Sequence, residues 1–206
     1  MARKKQIDPR LEPLGVAIFA AVMQATKHID KSWTEITGEH EMLQKSNWAI
    51  RVEELAFYLH LVNRMAFIAG GDELRARLQD YLTILLVNNL VDFSFDTSNV
   101  DSQRKEELLG KMKMEIIDVV NDAEMEFAEC ETWFKTPSVL DIEASHLLLV
   151  PDDSDVVGKL AKRIAEDTGQ ADSEHFRQLI WGANIDACHD LQIIRQVDAV
   201  IQSIKK

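Results

Sequence analysis

Cysteine is nearly absent from this chain: two residues in 206, Cys130 and Cys188. Two thiols so far apart do not form the cysteine framework of a small secreted domain. Each sits in an apolar helical pattern, where cysteine serves as a small buried residue. The expected setting is the reducing cytoplasm. Proline (four) and glycine (eight) are also scarce and fall mainly between periodic segments. That leaves long uninterrupted runs, which favour helices over many short strands.

Positive charge is in deficit, with 23 Lys and Arg against 35 Asp and Glu, a net charge of −12. Nucleic-acid binding needs clustered basic side chains. The few here (Arg3, Lys4, Lys5, Lys205, Lys206) are too terminal to supply a patch, so no nucleic-acid partner is expected. Long hydrophobic runs are missing too. The stretch from Leu14 to Met23 is shorter than the roughly 20 residues a membrane span needs. Arg3-Lys4-Lys5 ahead of it resembles the start of a secretion signal, but Asp8, Pro9, Glu12 and Pro13 intervene. The run also continues in helical register to Ala25 and Ile29, so neither a signal peptide nor a membrane role is expected. No internal repeat and no glycine-rich phosphate loop is present.

What the chain does have is helical periodicity throughout. The expected fold is all-α: an antiparallel bundle of about six helices, mostly up-and-down, in one domain over 1–206. Its core would span 13–136, with a C-terminal helical hairpin over 152–204. The first helix begins near Pro13 and breaks at or beyond Gly38. Ser46 or Asn47 is expected to cap a second, whose Trp48, Val52, Leu55, Leu59, Val62 and Ala66 recur at spacings of three and four. Gly70-Gly71 ends it. A third helix over about 72–92 is nearly all apolar from Tyr81 to Val91, which predicts burial on all sides or against another subunit. A fourth runs from about 103 to 135. The acidic cluster Asp152–Asp155 starts a fifth that ends near Gly169, and Asp172 or Ser173 caps a sixth reaching almost to the C-terminus.

The polar residues are most concentrated on the second helix. Glu53, His60 and Arg64 fall within roughly 40° of one another at 100° per residue, opposite the core stripe. Ala56, Phe57, Asn63 and Phe67 flank them. A carboxylate, an imidazole and a guanidinium among aromatics can hold an anion and move a proton. Phe176, Ile180, Ala183, Ala187 and Leu191 mark the buried face of the sixth helix, and Asp190 and Asp198 project into the same arc. A buried carboxylate needs a partner. Arg64 and His60 are the expected partners of Asp190, so the candidate site is Glu53, His60, Asn63, Arg64, Phe67 and Asp190.

Metal and nucleophile signatures are weak. Glu143-x-x-His146 and Asp186-x-x-His189 have a spacing that places two ligands on one helical face. Carboxylate-bridged di-metal bundles use Glu-x-x-His pairs, but the resemblance covers only these short strings. Cys188 and His189 are adjacent and so point about 100° apart on a helix. No metal or other cofactor is expected. An acidic stripe on the fourth helix (Glu115, Asp118, Asp122, Glu126, Glu129) suits a solvated face or a basic protein surface. The reading that results is a non-enzymatic protein acting through a protein partner or self-association, as a homo-oligomer. The alternatives are a ligand-binding or metal-dependent enzyme with its site on the second helix, and an acidic inhibitor of a basic partner.

Overall fold

The computed structural model describes residues 9–38, 40–95, 101–130 and 155–205, with the side chains of 40–46 and 102 excepted. Within them the chain is an all-α helical bundle with no strand. α1 spans Glu12–Thr37, with a proline in its first turn. It ends at Gly38, whose φ of 71° lets its N–H reach the Thr34 carbonyl at 2.8 Å. α2 spans His40–Ser94 and bends sharply at Gly71 (φ 70°, ψ −162°). α3 spans Ser102–Ala128 and is capped by the Asp101 carboxylate on the Arg104 N–H. α4 spans Val156–Asp167 behind the Asp155 cap, and α5 spans Glu174–Asp190 behind the Ser173 cap. α6 spans Ile193–Lys205.

The bend at Gly71 folds α2 into a hairpin of two arms. Arg51 near the start of the first arm lies over the Phe93 ring, 5.4 Å from its centroid. Trp48 meets Phe95 edge-on at 4.9 Å between centroids. Around the first arm, α3 runs antiparallel, pairing Phe57 with Phe127 and His60 with Glu124. α1 and α5 are also antiparallel: Trp33 meets Phe176 edge-on at 4.7 Å between centroids, and Gln24 donates to Asp190 at 3.0 Å. The α6 end is tied down by Lys205 on the Ala69 carbonyl and Arg10 on the Ser203 carbonyl. All six helices contribute to one apolar cluster.

Several expectations need correction. The second helix starts at His40, not at a Ser46 or Asn47 cap. No proline or glycine lies between Gly38 and Ser46, so nothing stops the helix from extending back. Burial on all sides falls to the first arm of α2, where every residue from 52 to 63 is buried, and not to the apolar 72–92 segment. The second arm is buried on one side only, with Leu82, Leu86 and Leu90 in the core and Ile84 66% exposed. The fourth helix stops at Ala128 rather than 135. The sixth expected helix is two helices, α5 and α6, divided at Leu191–Gln192, where Gln192 takes a φ of 48°. Asp190 ends α5 at the surface, and Asp198 lies beyond the phase shift at that break; both are exposed.

Candidate functional site

The first arm of α2 carries four polar side chains into the interior: Glu53, Glu54, His60 and Asn63. Surrounded by α1, α3 and α4, with α5 in side-chain reach, it has no face turned to solvent over this stretch. Polar groups in such a place are stable only with partners.

Glu53 is gripped by Arg163 of α4. The Arg163 Nε donates to Oε2 at 2.7 Å and Nη2 donates to Oε1 at 2.8 Å, a two-pronged guanidinium–carboxylate pair. The third prong, Nη1, donates to Glu126 of α3 at 2.5 Å. One guanidinium thus joins α2, α3 and α4. Burial raises the Glu53 carboxyl above its ordinary range, and Arg163 pulls it back. Burial works against the Arg163 charge, but the hydrogen bonds and the charges of Glu53, Glu126 and Asp167 outweigh it and hold its proton more tightly. The geometry is that of an ion pair.

Two turns on, His60 Nδ1 lies 2.8 Å from Glu124 Oε2, with its ring tilted against Phe127 at 5.5 Å between centroids. Asn63 completes this row, its Oδ1 buried with no hydrogen-bond partner among the described residues.

A second seam faces α5. Glu54 Oε1 accepts from Asn184 Nδ2 at 2.8 Å, and the same amide nitrogen donates to the Ile180 carbonyl at 3.0 Å. Burial pushes the Glu54 carboxyl up to about 8; the Asn184 hydrogen bond opposes this and the Glu53 charge adds to it. One turn further along α2, burial raises the Tyr58 hydroxyl well above its usual range. Burial also pushes the neighbouring Cys188 thiol up to about 12. Cys130 is raised by burial as well, so neither free thiol carries the thiolate that a nucleophile needs.

The six residues expected to form one site do not meet. Glu53, His60 and Asn63 lie on the interior row, whereas Arg64 and Phe67 are exposed. The first arm leaves its shell of neighbours after Asn63, so the residues beyond it on the same face point outward. Asp190 accepts from Gln24 and sits 3.6 Å from the His189 ring nitrogen, on the α1–α5 surface. The partners of the buried acids and imidazole are instead Arg163, Asn184 and Glu124. Arg163 had a sequence signal: it lies three residues after Leu160 and seven after Val156, on the apolar stripe of α4. Glu143 and His146 lie outside the described residues. Asp186 and His189 belong to no group of three or more potential ligands among the described residues.

Chemically, Glu53 and His60 of the interior row are already committed, to Arg163 and to Glu124, while the Asn63 carbonyl is left over. His60 is buried behind Phe127 and bonded to Glu124, and the Arg163 fork is shared by two carboxylates. Such pairs tie α2 to α3 and α4. No helix among the described residues is long and apolar enough to cross a membrane. Comparison with known family models, curated proteins and solved structures found no match.

Proposed function

We propose that the protein works through protein–protein contact, without catalysis of its own, and that it self-associates through the face shared by α1 and the second arm of α2. The observation that carries this reading is a group of exposed apolar side chains on that face. Val16 is 62% exposed and Phe93 56%, and between them Phe19 packs on Phe93 at 5.8 Å between ring centroids. Gly15 sits against Leu85, with no side chain to hold α1 away from the second arm. Scattered single apolar side chains are ordinary on a surface, but a group of them is where a neighbour gains most by burying area. The interior ion pairs support the reading from the other side, because Glu53, His60 and Arg163 are engaged in joining helices. Two free thiols and an acidic surface suit a cytoplasmic protein.

Sedimentation equilibrium tests it. The wild type should sediment above the monomer mass, and Val16→Glu with Phe93→Glu should return it to monomer with unchanged helix content. A monomeric wild type across the accessible concentration range would remove self-association from the proposal.

A further inference from the structure

We propose that the outward face of α3, from Met114 to Glu129, docks a basic amphipathic helix of another protein. This rests on the reading of the protein as one that acts by contact, but not on its self-association.

The sequence from 114 to 130, which is the second half of α3 and the two residues after it, contains no Lys or Arg and six acids. The structure divides those acids by task. Glu124 and Glu126 turn towards the interior and hold His60 and Arg163. Glu115 has a loose contact with Lys111 at 3.9 Å. Asp118, Asp122 and Glu129 are exposed and in no ion pair among the described residues. A face kept polar only for solubility ordinarily intersperses both signs. This one shows a single sign.

Alongside those acids stand two apolar side chains, Met114 at 58% exposure and Met125 at 64%. At 100° per residue, Met114, Met125, Asp118, Glu129 and Asp122 fall in that angular order within an arc of about 80°. The result is a methionine edge bordered by a carboxylate edge, running about 22 Å along the helix. Methionine is unbranched and polarizable, and it fits its surface to irregular apolar partners. The occupant that matches both edges is a helix of roughly four turns with an apolar stripe beside a Lys/Arg stripe.

Charge excludes the other candidates. Nucleic acid and anionic membrane surfaces would meet like charge. A second copy of this chain, itself at −12, would set the acids of one α3 against those of the other.

The probe is a dye-labelled 18-residue helical peptide of leucine and lysine with one apolar and one basic stripe, titrated by fluorescence anisotropy at near-physiological salt. The expected affinity is about micromolar, and a scrambled peptide of the same composition should bind roughly tenfold or more weakly. Met114→Gln with Met125→Gln should weaken binding by roughly tenfold. Asp118→Asn with Asp122→Asn should weaken it and flatten its salt dependence. Because all four side chains are on the surface, circular dichroism should be unchanged. In methyl spectra of methionine-labelled protein, Met114 and Met125 should shift on titration. Three results each overturn the proposal: no binding, equal binding of the scrambled peptide, or affinity indifferent to the methionine changes. Either of the last two would mean diffuse attraction to an acidic protein. Sedimentation of the same samples reads self-association separately: a monomer that binds the peptide defeats only the dimer, and an oligomer that ignores it defeats only the docking face.

Discussion

Arg163 and Glu53, separated by 110 residues of chain, meet in two parallel hydrogen bonds of 2.7 and 2.8 Å beside the central arm of α2. Glu53 is buried and Arg163 only slightly exposed, so neither group is well hydrated. Water does little to screen or replace the contact, and breaking it from one side strands a charge in the interior.

Arg163→Ala should therefore destabilise the fold by about 3–5 kcal/mol, more than any exposed ion pair is worth. The paired change Glu53→Met with Arg163→Met removes both charges at similar volume and should recover most of that loss. Urea denaturation of the single and double variants decides the matter. A double variant as unstable as Arg163→Ala would mean that the ion pair, rather than the avoidance of a lone buried charge, holds α4 in place.

Glu54 makes stability depend on pH. Its carboxyl titrates near 4.5 when free and near 8 in the fold, so the folded state holds the proton more tightly. Its contribution is fully present below about 4.5 and is lost as pH rises through 8, with a limiting slope of about 1.4 kcal/mol per pH unit. Glu53, also raised by burial, tilts the same way. Glu54→Gln keeps an acceptor for Asn184 and has no proton to lose. Its stability should fall less steeply from pH 5 to pH 8 than that of the wild type. Parallel profiles in chemical denaturation would show that Glu54 is already ionised at low pH.

The α2 hairpin depends on one glycine. Gly71 has a φ of 70° and a ψ of −162°, a region open to glycine and strongly unfavourable for residues with a Cβ. Gly71→Ala should cost about 1–3 kcal/mol, although nothing lies within 4 Å of the added methyl. Gly38→Ala, at a left-handed position that other residues tolerate better, should cost about 1 kcal/mol. Thermal unfolding monitored by circular dichroism gives the order, and equal losses would place the bend elsewhere.

Gln192 offers the reverse experiment. It is the single non-glycine residue with positive φ among the described residues, at the break between α5 and α6. Gln192→Gly should stabilise the protein by about 0.5–1 kcal/mol through relief of that strain. The Gln192 side chain is exposed, so little packing is lost. A neutral or destabilising result would mean that the break is not strained in the wild type.

Local signals located most helix ends. Gly38, Gly71 and Gly169 take positive φ where a helix ends or bends, and Asp155 and Ser173 cap the helices that follow them. They did not reveal the break at Gln192, because no proline or glycine stands there and the apolar spacing passes through it. Nor did composition identify the central helix. The 81–91 stretch is more apolar than 52–63, yet it is buried on one side only. The 52–63 segment is buried because other helices pack on every side of it, and the partners of Glu53, Glu54 and His60 on those helices are distant in sequence.

The opposition of His60 and Glu53 to the α2 core stripe was readable from spacing, but that face meeting α3 and α4 instead of water was not. Whether a polar helical face is a surface or a seam depends on what packs against it. In this chain the alternation of apolar and polar residues determined by itself that α-helices form and where most of them stop, because capping and periodicity act over four or five residues. Only the tertiary structure decided that Glu53 pairs with Arg163, Glu54 with Asn184 and His60 with Glu124, while Asp190 stays at the surface. Those pairings come from long-range packing, and no local preference along the chain specifies which distant side chain arrives.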